Sequence, residues 1–496
     1  MQINYMDQKN FRRKELREQE WRKELRKQMT ARERTQIKRT GMPETDPLER
    51  IKNNTEVNRG ITAEMAMQEA KRCLDCADPE CINGCPVGVD IPTFVKYVEA
   101  GEFLKAAISI KEENVFPAVC GRVCPQEVQC ESKCIYSVRL KKEAVAIGYL
   151  ERFVADYQNE SASLYVPEIQ PSNKVKVAVI GSGPAGLAAA GELVKFGYDV
   201  TVFEALHEFG GVLKYGIPEF RLPNKIIDTE IECLKKMGVK MQKNIIAGKT
   251  ITFSDLEEEG FKAFFIGSGA GLPNFMNIPG ENLNGVLSAN EYLTRVNLMG
   301  AAKPGYDTPV FFGKNVAVIG GGNTAMDSVR TARRLGAERA MIIYRRSFDE
   351  MPARKEEIKH AMEEGVEFLN LHTPIEYIAG KNGHVSQIRL QRMRLSEPDE
   401  SGRKKPVPVE NSDYVIDADL VIVSIGVSPN PLVPKNLPSL QVSKWGTIIV
   451  NDKEMQSNIS GIFAGGDIVR GGATVILAMG DGRKAALGIH KYLNYK

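Results

Sequence analysis

The chain has 496 residues, 43% of them hydrophobic and 26% charged; that is roughly three domains' worth and an ordinary globular composition, which excludes wholesale disorder and a fibre. No uninterrupted apolar run reaches the about 18 residues of a membrane span; the nearest, Val177–Val194, is broken by four glycines, Pro184 and Glu192. The net charge of +3 is uneven: residues 1–40 hold thirteen Lys/Arg against six Asp/Glu, leaving −4 for residues 41–496. No basic stripe with readout residues follows, so neither a nucleic-acid nor a membrane partner is expected.

Residues 7–39 read as one long polar helix, either a solvated charged helix or a docking arm for a partner subunit. It lacks the apolar segment of a secretory signal, and a cytoplasmic protein is expected. Gly41-Met42-Pro43 ends it. From Thr62 to Tyr157 the pattern is one of short helices, among them Pro92–Glu99, Phe103–Lys111 and Val145–Tyr157. This region carries eight of the nine cysteines, with Cys233 alone further on. A cytosolic chain keeps its thiols reduced, so such a cluster reads as metal binding or catalysis. Asn159–Asn173, with Pro167 and Pro171, reads as a linker.

The grammar then changes. Val175–Ile180 is an apolar run followed by a glycine turn, a small-residue helix and a strand at Val200–Glu204. The same order returns at Val316–Ile319, Gly320–Gly322, Thr324–Leu335 and Ala340–Tyr344. Alternation of this kind predicts an α/β fold with parallel sheets covered by helices on both faces, and two copies predict two nucleotide-binding lobes. A further strand, Leu420–Ile425, precedes Gly461–Asp467 and a last helix from about Thr474. The expected divisions are a basic helical extension (1–40), a helical cysteine-bearing domain (41–165), a first nucleotide domain in two parts (166–300 and 426–496), and a second inserted between them (301–425).

In the first lobe Gly181, Gly183 and Gly186 form a GxGxxG directly after a strand and at the start of a helix. There the first glycine turns the chain, the second lets backbone approach a pyrophosphate, and the third allows close helix–strand packing. Glu204, at the end of the next strand, is placed to accept from a ribose diol; the alternative is a packing turn without ligand. The second lobe has Gly320, Gly322, Asn323, Thr324 and Ala325 in the GxGxxA form. Here the acidic position is replaced by Arg345 and Arg346, which would pair with a 2′-phosphate and favour NADPH over NADH; the alternative is two solvated arginines. Glu in one lobe and Arg in the other suggest FAD in the first and NADPH in the second. Gly466 and Asp467 fit a second FAD contact, and the helix from Thr474 would aim its N-terminus at the flavin.

The cysteines fall in two runs, Cys73-x2-Cys76-x4-Cys81-x3-Cys85-Pro86 and Cys120-x3-Cys124-Pro125-x4-Cys130-x3-Cys134. Cysteine followed by proline at the end of such a run is a feature of ferredoxins, in which one ligand crosses to the other cluster; two structural zincs are the alternative. A redox-active disulfide facing the flavin is excluded by count, because Cys233 is the only cysteine after Cys134.

Three segments together resemble the glutamate synthase small (β) subunit family: Gly210–Pro223, which contains Gly211 and Arg221, the run from Cys73 to Pro92, and Arg345–Pro352. The resemblance covers about residues 41–496. The same architecture occurs in the N-terminal half of dihydropyrimidine dehydrogenase and in the large subunit of electron-bifurcating NADH-dependent ferredoxin:NADP oxidoreductase. It implies a helical domain with two [4Fe-4S] clusters, then a FAD domain interrupted by an NADPH domain. It also implies interleaved ligands: Cys73, Cys76, Cys81 and Cys134 for one cluster; Cys85, Cys124, Cys130 and the non-cysteine Glu151 for the other. Cys120 as the ligand in place of Glu151 stays open. Arg221 carries over as a flavin contact, alongside Gly211.

The implied function is electron input. NADPH reduces FAD, and electrons cross the clusters to a glutamate synthase large subunit that makes glutamate from 2-oxoglutarate and glutamine. This chain has neither an amidotransferase nucleophile nor an FMN barrel of its own. The rivals are the bifurcating oxidoreductase, with a small flavoprotein and ferredoxin as partners, and a non-catalytic assembly module.

Overall fold

The computed structural model describes residues 5–161, 165–398 and 402–494. The N-terminal arm is not one helix. It forms Tyr5–Arg17, Glu20–Gln28 and Ala31–Arg34, the last opened by a capping box between Thr30 and Glu33. Nor is it solvated. Arg22 is 2% exposed and grips Asp75 with two nitrogens, and Arg26 reaches the same carboxylate at 2.6 Å. Arg34 pairs with Glu99 at 2.9 Å, and Arg39 with Glu131 at 2.8 Å. Part of the basic charge, Arg22, Arg26, Arg34 and Arg39, therefore answers buried carboxylates of the chain's own cysteine-bearing domain.

That domain is a stack of helices, including Ala63–Ala70, Ile91–Glu99, Phe103–Lys111, Pro117–Val123 and Ile147–Glu160. Thr62 and Asp90 cap two of them by accepting from Met65 N and Thr93 N, and Phe94, Val98, Phe116, Val119 and Leu150 fill the middle.

Two five-stranded parallel sheets follow. The first runs in the order 462–464, 261–266, 176–180, 199–203, 240–242, so a C-terminal strand completes a sheet begun before residue 270. The helix Val475–Asn494 packs against Pro184–Lys195, the helix that follows the first glycine turn. The second sheet runs 286–288, 420–423, 315–319, 339–344, 367–370. Val286–Ser288 thus joins the second lobe ahead of the boundary expected at residue 300. An antiparallel sheet, His372–Ala379 with Val385–Pro398, Lys404–Pro408 and Tyr414–Asp417, is added to that lobe, and the reading of the sequence had no place for it.

Candidate functional site

A cavity of about 1760 Å³ lies between the two lobes. That exceeds the roughly 300–1,000 Å³ of a single small-molecule pocket and suits two dinucleotides laid end to end. Its walls include both glycine turns, Glu204, Gly211, Gly466, Asp467 and Thr474, together with Asn323, Thr324, Arg345 and Arg346.

The turns have the geometry that phosphate approach requires. Gly181 has φ +98°, and a Cβ there would strike the Gly267 carbonyl at 2.6 Å. A Cβ on Gly183 would instead meet nothing within 4 Å, and on Gly322 only Pro352 at 4.0 Å; both point into the open cavity. Gly186 fits against the Gly181 carbonyl, where a Cβ would lie 2.0 Å away. Helices begin at Pro184 and Asn323, so free amides face the space where an anion would sit. Ala325 faces away, into the core of the second lobe.

Glu204 is buried, and its carboxylate accepts from Ser182 N and Leu206 N, each at 2.8 Å, and from Ser182 Oγ at 2.5 Å. Those bonds pin it beside the first turn. Opposite, burial pushes Asp467 up to about 6, against the hydrogen bond from Ala473 N at 3.2 Å. Thr474 caps the last helix, accepting from Leu477 N at 3.3 Å. Asp481, not singled out in the sequence, is fully buried; it accepts from Gly466 N at 3.1 Å and from Arg470 at 2.6 Å. It thereby holds the Gly466–Asp467 turn in place. The signal for it was an aspartate between two glycines directly after the apolar first turn of the helix, Val475–Met479.

The two arginines at the end of strand Arg339–Tyr344 are not equivalent. Arg345 is exposed at the cavity wall, whereas Arg346 is buried and donates from Nε to the Lys404 carbonyl at 2.9 Å. Arg346 therefore ties the strand end to the antiparallel hairpin, which adds His372, Thr373 and Arg403 to the wall.

Arg221 also differs from expectation. It reaches the cavity, but its guanidinium is committed to Asp327, at 2.8 Å to both oxygens, and lies 3.2 Å from Glu357. Arg330 joins Glu357 and Glu364, and Phe220 stacks beneath Arg330 and Arg334. Burial opposes the Glu357 charge, but the guanidinium groups of Arg221 and Arg330 outweigh it and hold Glu357 down to about 2. Asp327 shares Arg221 with that carboxylate, and there burial wins, pushing it up to about 6. Arg221 is thus a buried tie between the lobes. Arg50, from the segment before the cysteines, extends the cluster to Glu363 and Glu364.

The cysteines gather in two sets. Cys81 is flanked by Cys73, Cys134 and Cys76. Cys124 is flanked by Cys120, Glu151, Cys85 and Cys130. Burial pushes Cys73 up to about 12 and Cys85 up to about 11, and it pushes Glu151 up to about 8 against a hydrogen bond from Asn114. A metal that holds sulfur as thiolate reverses this cost. Four thiolates on one zinc, at Zn–S of about 2.3 Å, would lie about 3.8 Å apart. Among the described residues only Glu44, Glu356 and His360 bring three ligand atoms within 4.8 Å of one another. Among the described residues no three cysteine sulfurs come that close to one another, so neither set is gathered as tightly as one zinc requires. Val123 and Pro125, on either side of Cys124, line the nucleotide cavity, so the second set adjoins it.

Residues 50–163 match the family described as dihydropyrimidine dehydrogenase domain II, 4Fe-4S cluster, and residues 175–482 match pyridine nucleotide-disulphide oxidoreductase. The chain is 37% identical to the glutamate synthase [NADPH] small chain of Azospirillum brasilense, over 92% of this chain and 95% of that protein. To the small chain of Escherichia coli it is 36% identical, over 88% and 93%. The chain belongs to the glutamate synthase small-chain family. It is an NADPH-dependent flavo-iron–sulfur oxidoreductase subunit whose cofactors are FAD, NADPH and [4Fe-4S] iron–sulfur. The fold of the small chain's nucleotide-binding part is also that of FprA from Mycobacterium tuberculosis in complex with NADPH, with a TM-score of 0.55 at 19% identity, over 65% of this chain and 85% of that one. Among the described residues no helix is long and apolar enough to cross a membrane.

Proposed function

We propose that this subunit takes electrons from NADPH and delivers them, through FAD and two [4Fe-4S] clusters, to a separate large subunit that makes L-glutamate from 2-oxoglutarate and glutamine in the cytoplasm. The observation that carries the reading is the shared cavity: the two glycine turns and the residues flanking Cys124 face one space. Bound FAD supplies the step from a two-electron hydride donor to one-electron carriers. The chain's own residues do the rest. In the first lobe Gly181, Gly183 and the amides of Ala185 and Gly186 would seat the FAD pyrophosphate, Glu204 its ribose, and Gly466 and Asp467 its middle. In the second lobe Gly320, Gly322, Asn323 and Thr324 would seat NADPH, with Arg345 on its 2′-phosphate. Cys85, Cys124, Cys130 and Glu151 would hold the cluster beside the cavity, and Cys73, Cys76, Cys81 and Cys134 the one beyond it, under the N-terminal arm.

The test is reconstitution. The purified subunit should reduce ferricyanide with NADPH by itself and form glutamate only when a glutamate synthase large chain is added. Dye reduction without any gain of glutamate formation would remove the large-chain partner from the proposal and leave an NADPH-oxidising subunit for another acceptor.

A further inference from the structure

Asn114 lies in the turn between helices Phe103–Lys111 and Pro117–Val123 and is 1% exposed. Its Oδ1 accepts from Phe116 N at 2.9 Å, an Asx turn that starts the second helix. That bond settles which end of the amide is which, because the opposite orientation would set the NH2 group against the Phe116 N–H. With Oδ1 so placed, Nδ2 donates to Glu151 Oε1 at 2.9 Å, and Oδ1 faces the Cys120 sulfur at 3.7 Å. Cys120 is 1% exposed; its sulfur also lies 3.7 Å from Met479 Sδ and is hydrogen-bonded to Cys124. The amide thus donates to the carboxylate, whereas toward Cys120 it offers only the lone pairs of its oxygen. A carboxylate that accepts from an amide through one oxygen keeps the second oxygen free for a metal.

We propose that Asn114 is the positioning residue that decides which group completes the second cysteine set: its nitrogen fixes the Glu151 carboxylate in place, and its oxygen turns only lone pairs toward the Cys120 sulfur. This rests on the reading that Cys85, Cys124, Cys130 and Glu151 hold a cluster.

The experiment is EPR spectroscopy of the anaerobically purified, dithionite-reduced holoprotein. Two variants test the underlying reading alone. Glu151→Ala should abolish the wild-type signal of one cluster, and Cys120→Ser should leave both signals unchanged; the reverse pattern would make Cys120 the ligand and remove the reading together with the proposal. If the reading stands, Asn114→Ala should replace most of that wild-type signal by a new one, and adding Cys120→Ser should abolish the new signal. A wild-type spectrum in Asn114→Ala, beside a changed one in Glu151→Ala, would overturn the proposal while sparing the reading. Should Asn114→Ala lose FAD or iron altogether, Asn114→Ser serves in its place. Its hydroxyl can still accept from Phe116 N but is too short to hold Glu151, and the same two outcomes decide.

Discussion

Replacing Arg345 with Ala should weaken NADPH far more than NADH. Arg345 is exposed on the cavity wall at the end of strand Arg339–Tyr344, in the position where other nucleotide lobes carry an acid for the ribose. Its guanidinium would make one or two charge-assisted bonds to a 2′-phosphate, each worth about 1.5–3 kcal/mol. At about 1.4 kcal/mol per decade, losing one raises KM for NADPH roughly 10- to 150-fold, with NADH changed by less than about threefold. Arg346→Ala is the internal control. Arg346 holds the Lys404 carbonyl, so its loss should loosen the hairpin and affect both nucleotides alike. The assay is the initial rate of ferricyanide reduction with each nucleotide, from which the ratio of the two KM values is read. An equal rise for both nucleotides in Arg345→Ala, or discrimination lost only in Arg346→Ala, would refute the reasoning.

Cys85→Ala should bind FAD and keep NADPH-driven flavin bleaching in stopped flow, while glutamate formation with the large chain is lost; full partner-dependent activity would take the clusters off the path. Arg330→Met removes the cation between Glu357 and Glu364, leaving Glu357 to Arg221 and Glu364 to Arg50 and Arg334; each hydrogen bond lost to a charged group costs about 1.5–3 kcal/mol. A fall in Tm of several degrees in the FAD-loaded protein is expected, and a change within experimental error would show that the inter-lobe network contributes no stability.

The two glycine turns were legible because their chemistry is local: a strand, a φ-permissive residue and a helix start within ten residues, and the strands at Asp199–Phe203 and Arg339–Tyr344 fall within a residue of expectation. The N-terminal arm was misread because charge along a helix says nothing about what the charge meets. Arg22 and Arg34 look solvated until Asp75 and Glu99 are folded beneath them. The break at Thr30 did have a local signal, the Thr-x-x-Glu capping box. Alternation also held information that went unused. Neighbouring residues of an extended chain face opposite ways, which separates Arg345 from Arg346. The pairs Ile388/Leu390 and Met393/Leu395 mark the long antiparallel strand, with a shift of phase between them that blurs the period. The pairing of Arg221 with Asp327 and Glu357 was not readable at all, since those partners lie more than one hundred residues away.

The central claim, that this chain holds two iron–sulfur clusters beside a flavin, is tested most directly by metal, acid-labile sulfide and flavin analysis of protein purified without oxygen. The account predicts about eight irons and eight sulfides, the sum for two [4Fe-4S] clusters, with one FAD per chain. Two zincs per chain with little sulfide would contradict it.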